Sequence, residues 1–137
     1  MIGYIDSSVF LARFLDEDRS AEAGALMGRL SGAVVSRVTE VEVRRGLALI
    51  ENVVERTLTQ SLWAHQWRSM NVIDVDARVS DLAAEIAMAT HIRSLDALHV
   101  ATASLANVPA MITFDQRQAQ AARAFNLTVL DRSPDQL

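Results

Sequence analysis

A chain of 137 residues, 50% hydrophobic but only 5% aromatic, suits one domain spanning residues 1–137 with a core of alanine and aliphatic side chains. It contains no cysteine, which excludes disulfides and thiolate metal sites, and its net charge of −4 argues against non-specific nucleic-acid binding through a globally basic surface. No apolar run is long enough to span a bilayer and the opening MIGYIDSSVF lacks the basic flank of a signal peptide, so a soluble cytoplasmic protein with no membrane contact is expected.

The first apolar run, Ile2–Ile5, ends at Asp6 and reads as a buried strand, after which Ser7 or Ser8 caps a helix carrying Val9, Leu11, Phe14 and Leu15. A second helix is predicted over Ser20–Leu30, followed by a short strand at Ala33–Val35. Thr39–Ile50 puts Val43, Leu47 and Ile50 on one helical face, and Thr39 with Glu42 matches the capping box that satisfies free backbone N–H groups at a helix start. Val53–Met70 reads as a helix with two stripes, one of Val54, Leu58, Leu62 and His65, the other of Trp63, Trp67 and Met70. Core packing and contact with a partner both fit the tryptophan stripe. Val72–Val75 is strand-like, and Asp76 opens a helix with Val79, Leu82, Ala83 and Ile86. Ser94 is placed to cap a helix over Ser94–Leu105 with Asp96 in its first turn, and Pro109 closes the loop that follows. Ala110–Phe114 reads as a strand, Gln116–Phe125 as a helix, and Leu127–Leu130 as the last strand before a polar tail containing Pro134. Strands alternating with helices imply one α/β domain, a central parallel sheet of about five short strands flanked by helices.

Four carboxylates fall where this alternation brings chain segments together: Asp6, Glu42, Asp96 and Asp115. Asp6 and Asp115 directly follow strands, and open α/β sheets collect ligands beyond the carboxyl ends of their strands. Carboxylates crowded there repel one another unless a divalent cation or a basic partner neutralises them. Magnesium or manganese, which take oxygen ligands, is the first hypothesis. Each residue also has a plainer reading. Asp6 and Asp115 stand where helix caps stand, although Ser7 and Ser8 are available to replace Asp6 in that task. Glu42 fits the capping box, and Glu40 competes for any role given to it. Asp96 complements the helix dipole, worth roughly 0.3–1 kcal/mol, yet it sits in the apolar segment LDALHVATASL, where an unpaired carboxylate is costly. His99 shares its face and reads as a buried, hydrogen-bonded histidine, since hard cations prefer oxygen. Thr113, two residues before Asp115, is placed to orient it.

The segments that carry these residues resemble the PIN-domain ribonucleases, specifically the VapC-type toxins of bacterial type II toxin–antitoxin pairs, over almost the whole chain. YIDSSVFLARFL resembles the opening strand with its metal-binding Asp at Asp6, and Ser8 matches the small polar position after it. TEVEVRRGL resembles the segment with a glutamate four residues before a glycine, here Glu42 and Gly46, which selects Glu42 over Glu40. RSLDALHVATA carries the third acid as Asp96, and ITFDQRQAQAARAFNL the closing segment with Thr113 and Asp115.

That resemblance implies a PIN-like domain and an endoribonuclease. Asp6 and Asp96 are the expected ligands of magnesium or manganese, with Glu42 and Asp115 completing the catalytic and metal-binding set and Ser8 and Thr113 supporting it. It also implies an RNA substrate, a cognate VapB-like antitoxin, a homodimer, and a toxin–antitoxin hetero-oligomer. Arg44, Arg45, Arg93 and Arg117 lie near the motifs, where they would guide an RNA backbone or simply form solvated helix surface. Two other readings compete. A phosphoacceptor receiver-like domain also has acids at strand ends but relies on a lysine, and all 13 cationic side chains other than histidine are arginines. A non-catalytic PIN-like interaction module would have no need of the complete acidic set.

Overall fold

The computed structural model describes residues 1–15 and 18–132; the polar tail with Pro134 lies outside the described residues. The elements are β1 (Ile2–Ile5), α1 (Ser7–Phe14), α2 (Ser20–Gly28), β2 (Gly32–Ser36), α3 (Arg37–Leu47), α4 (Val53–Trp67), β3 (Asn71–Ile73), α5 (Ala77–Thr90), α6 (Ser94–Ala106), β4 (Ala110–Ile112), α7 (Gln116–Ala124) and β5 (Val129–Leu130). Every strand pairing is parallel, and the order across the sheet is β3-β2-β1-β4-β5. The predicted α/β architecture and all five strands are present, with several strands shifted or shortened at their ends.

Successive side chains of a strand point to opposite faces, and the central strands use both. Tyr4, Val34 and Met111 enter one core with Val79, Ile86, Val100 and Ala121, supplied by α5, α6 and α7. Their neighbours Ile5, Val35 and Ile112 enter the other with Phe10, Leu26, Val43, Leu47 and Trp63, supplied by α1 to α4. Strands buried on both faces read as unbroken apolar runs, which is why these segments showed no polar alternation. Trp63 is 2% exposed and packs edge-on against Phe10 and Phe14, with Trp67 beside it, so the tryptophan stripe is core packing. The other stripe faces outward: Val54, Leu58 and Leu62 are all exposed.

Several helix starts differ from expectation, for one physical reason. A cap must have extended backbone, and Asp6 just after β1, Ser36 at the end of β2 and Arg93 ahead of α6 have it. Asp6, not Ser7 or Ser8, caps α1 by accepting from the Ser8 N–H at 3.2 Å. Ser36, not Thr39, caps α3 through Val38 N–H at 3.2 Å, so Thr39 lies buried inside the helix and the Thr39–Glu42 capping box does not form. Glu42 is thereby left available for other contacts. Ser94 is the first residue of α6 rather than its cap, and Arg93 in the cap position makes no side-chain capping bond. At Gly46 any Cβ would meet the Leu11 methyl, so the glycine allows α3 to lie directly on α1 and brings Glu42 over Ser7.

Candidate active site

The chain leaves β1 in one direction toward β2 and β3, then crosses to β4 and β5 on the other side. The reversal between β1 and β4 opens the crevice where doubly wound sheets bind ligands. Ile5 and Ile112 are paired there, and the Asp6 N–H continues the ladder onto the Ile112 carbonyl at 2.9 Å. Asp6 therefore emerges level with Thr113, both essentially buried.

Three donors converge on one oxygen of Asp6. Oδ2 accepts from the Ser8 N–H at 3.2 Å, the Ser8 hydroxyl at 2.6 Å and the Thr113 hydroxyl at 3.0 Å. Both hydroxyls also accept from the segment after β4: Phe114 N–H donates to Ser8 Oγ at 3.0 Å and Asp115 N–H to Thr113 Oγ1 at 3.1 Å. The two residues expected to support the site thus stitch the ends of β1 and β4 around Asp6. Its other oxygen, Oδ1, is turned toward Gln118 and His99, at 3.2 and 3.5 Å.

Glu42 reaches this crevice from α3. Its Oε1 accepts from the Ser7 hydroxyl at 2.8 Å and lies 2.6 Å from His99 Nε2. Glu40, its rival in the sequence, turns to Arg44 on its own helix at 3.7 Å. His99 is fully buried, and its Nδ1 meets the Tyr4 hydroxyl, as expected of a hydrogen-bonded histidine. Burial alone would lower its pKa, but the bond to Glu42 and the charges of Asp6, Glu42 and Asp96 prevail and raise it above 6.5. For Glu42 burial works upward, and the His99 bond, the His99 charge and the Ser7 hydroxyl outweigh it, leaving the carboxyl below its usual 4.5. Burial, then the charges of Asp6 and Glu42, push the Tyr4 hydroxyl well above 10.0, so it stays neutral. A protonated His99 donates from both ring nitrogens, a cation enclosed among acids.

Asp96 enters from the first turn of α6, half-buried, and its Oδ1 accepts from Gln118 Nε2 at 2.9 Å. Burial chiefly raises its pKa above 3.8; the charges of Asp115 and Asp6 add to this, while the Gln118 bond and His99 work against it. Asp115 does cap α7, through Gln118 N–H at 3.0 Å, and its charge still reaches Asp96. The plainer reading of Asp115 is thus a fact of the structure, and it leaves the second carboxylate oxygen uncommitted to the cap.

All four predicted acids border one crevice, linked through His99 and Gln118. Among the described residues, no three His, Asp or Glu side chains form a ready-made metal cage. The donor set nonetheless suits a hard cation, because magnesium uses one or two carboxylates and keeps its waters. Sequence reasoning passed over Gln118, Ser7 and Tyr4. The signal for Gln118 was available: it is the one long polar side chain on the buried, otherwise alanine face of α7. Arg44, Arg45, Arg93 and Arg117 are exposed.

The sequence pattern of the PIN domain matches residues 3–124. Ribonuclease VapC46 of Mycobacterium tuberculosis is 30% identical over 129 residues, covering 93% of this chain and 95% of that protein. Among solved structures, FitAcB from Neisseria gonorrhoeae superposes with a TM-score of 0.76 at 23% identity over 100% of both chains. A toxin–antitoxin complex from Klebsiella pneumoniae gives 0.67 at 16% identity, over 85% of this chain and 88% of the matched one. At such identities the structural likeness speaks for the fold, while the sequence match identifies the lineage: the chain belongs to the PIN-domain family.

Proposed function

We propose that this protein is a magnesium- or manganese-dependent endoribonuclease and the toxin of a toxin–antitoxin pair. The observation that carries the reading is the convergence of Asp6, Glu42, Asp96 and Asp115 on the β1/β4 crevice of a chain whose relatives are named ribonuclease VapC. Asp6 and Asp96 would hold the cation, with Glu42 and Asp115 completing its surroundings. A divalent cation there supplies the Lewis acidity that makes water nucleophilic near neutral pH and offsets charge on the leaving oxygen of a phosphodiester.

The chain's own residues do the rest. Ser8 and Thr113 fix Asp6 through Oδ2, which leaves Oδ1 beside Gln118 and His99 as the oxygen for a cation. His99 and Ser7 both bind Glu42 Oε1, which leaves Oε2 to orient a water or a substrate hydroxyl. The raised His99 pKa favours the protonated ring, and an imidazolium there would reduce repulsion among the acids and let them stay close before any cation arrives.

RNA is the substrate on this reading, and a VapB-like antitoxin the partner, within a toxin homodimer and a toxin–antitoxin hetero-oligomer in the cytoplasm. Two features support a protein partner. A basic side chain laid into the acidic crevice would be favoured electrostatically. A groove of about 1100 Å³ between α2 and α4, lined by Met27, Leu30, Leu62 and Met70 with Arg13 and Arg68, also offers apolar surface to an added helix or extended tail. No helix among the described residues is long and apolar enough to cross a membrane. Mapping RNA ends in cells after induction tests the proposal: new ends at defined sites are expected with the native chain and none with Asp6→Asn. Identical ends from both would remove it.

A further inference from the structure

Gln118 is 2% exposed on a helix face otherwise built of alanine, and its amide nitrogen donates to two acids at once, Asp6 Oδ1 at 3.2 Å and Asp96 Oδ1 at 2.9 Å. The amide oxygen is buried with no hydrogen-bond partner. An unpartnered buried carbonyl is unfavourable, and an apolar side chain of the same length would fill the space without it. Packing alone does not account for a glutamine here.

We propose that Gln118 is a positioning residue that holds Asp6 and Asp96 in a fixed relation and preorganises them for a divalent cation. The proposal rests on the reading of this crevice as a cation site. An amide suits the task for three reasons. It has two N–H bonds, one for each carboxylate. It is neutral, so it neither cancels the charge that attracts a cation, as arginine would, nor adds repulsion, as glutamate would. Each carboxylate oxygen it touches keeps a lone pair free, so the bridge aligns the acids without blocking them. Its backbone is fixed too, because the Gln118 N–H is held by Asp115 Oδ1. Without the bridge, Asp96 in its half-exposed position would rotate away from Asp6 to lessen their repulsion.

Gln118→Met keeps the length and removes both donors. In calorimetric titration with magnesium chloride, and separately manganese chloride, it is expected to bind at least about tenfold more weakly than the native chain, with its circular dichroism unchanged. On RNA, kcat should fall by about tenfold or more while KM stays within about twofold, because the substrate itself does not touch Gln118 on this account. Metal affinity and kcat both within about twofold of native would overturn the proposal and leave the nuclease reading standing. A native chain that binds neither cation and cleaves no RNA would remove both. Should the methionine variant fold poorly, the native protein decides the matter by NMR. The Gln118 side-chain amide signals should shift as magnesium is added and stay still in Asp96→Asn; signals unmoved in the native chain would also overturn the proposal.

Discussion

Replacing His99 by leucine tests the electrostatic design of the crevice in the metal-free protein. The imidazole is fully buried and makes three side-chain contacts within hydrogen-bond reach, to Tyr4 through Nδ1 and through Nε2 to Glu42 at 2.6 Å and Ser7 Oγ at 3.4 Å, with Asp6 Oδ1 at 3.5 Å. Removing one member of a buried charged pair generally costs about 3–5 kcal/mol, because the other is left without compensation. Glu42 keeps 29% of its side-chain surface and can recover hydration, so the expected loss is about 3 kcal/mol, the lower end. The dependence on pH fixes the sign. His99 has its folded pKa raised above 6.5, so its contribution is complete below 6.5 and is lost as pH rises through the folded value. Glu42 has its folded pKa lowered below 4.5, so its contribution is complete above 4.5 and is lost as pH falls through the folded value. The gap between native and variant should therefore be widest between about 4.5 and 6.5 and narrow on the alkaline side. Urea unfolding of both proteins across that range measures it. A His99→Leu chain as stable as the native one in the window, or a gap that widens with rising pH, would refute the reasoning.

Thr113→Val removes a buried hydroxyl that donates to Asp6 at 3.0 Å and accepts from Asp115 N–H at 3.1 Å; a loss of about 2 kcal/mol in urea unfolding is expected, with weaker metal binding by calorimetry. Glu42→Gln should reduce RNA cleavage by more than about tenfold and lower the His99 pKa measured by NMR, since burial then meets less opposition. Glu40→Gln is the matched control: it loses only a contact at 3.7 Å to an exposed Arg44, so stability should change by less than about 0.5 kcal/mol and cleavage not at all.

The fold was largely readable because its strands are buried on both faces and each helix shows its apolar stripe. Ile2–Ile5 forms β1 with the bounds its apolar run suggested, and the alternation of strand and helix led directly to a parallel sheet. Errors gathered at helix starts, where competing polar residues lie within one turn. Ser36 displaced Thr39, and Asp6 displaced Ser7 and Ser8, because the decisive variable is the extended backbone angle at or just after the strand's end. That angle depends on the sheet rather than on the local sequence. The same limit applied to the crevice. Local pattern identified the acids, but the bridges between them span large separations in the chain, Tyr4 to His99, Glu42 to His99, and Asp6 to Gln118. Spacing along the chain carries no information on such pairs. Asp115 shows the converse: its role as a cap, legible from position alone, is real, and it coexists with a place beside Asp96.

The central claim is that a cation-dependent RNA-cleaving centre lies at Asp6. Its most direct test is cleavage of RNA by the purified chain with and without magnesium, beside Asp6→Asn of unchanged circular dichroism. The account predicts cleavage only by the native chain and only with the cation; an Asp6→Asn protein that cuts at the native rate, or native cleavage indifferent to chelation, would contradict it.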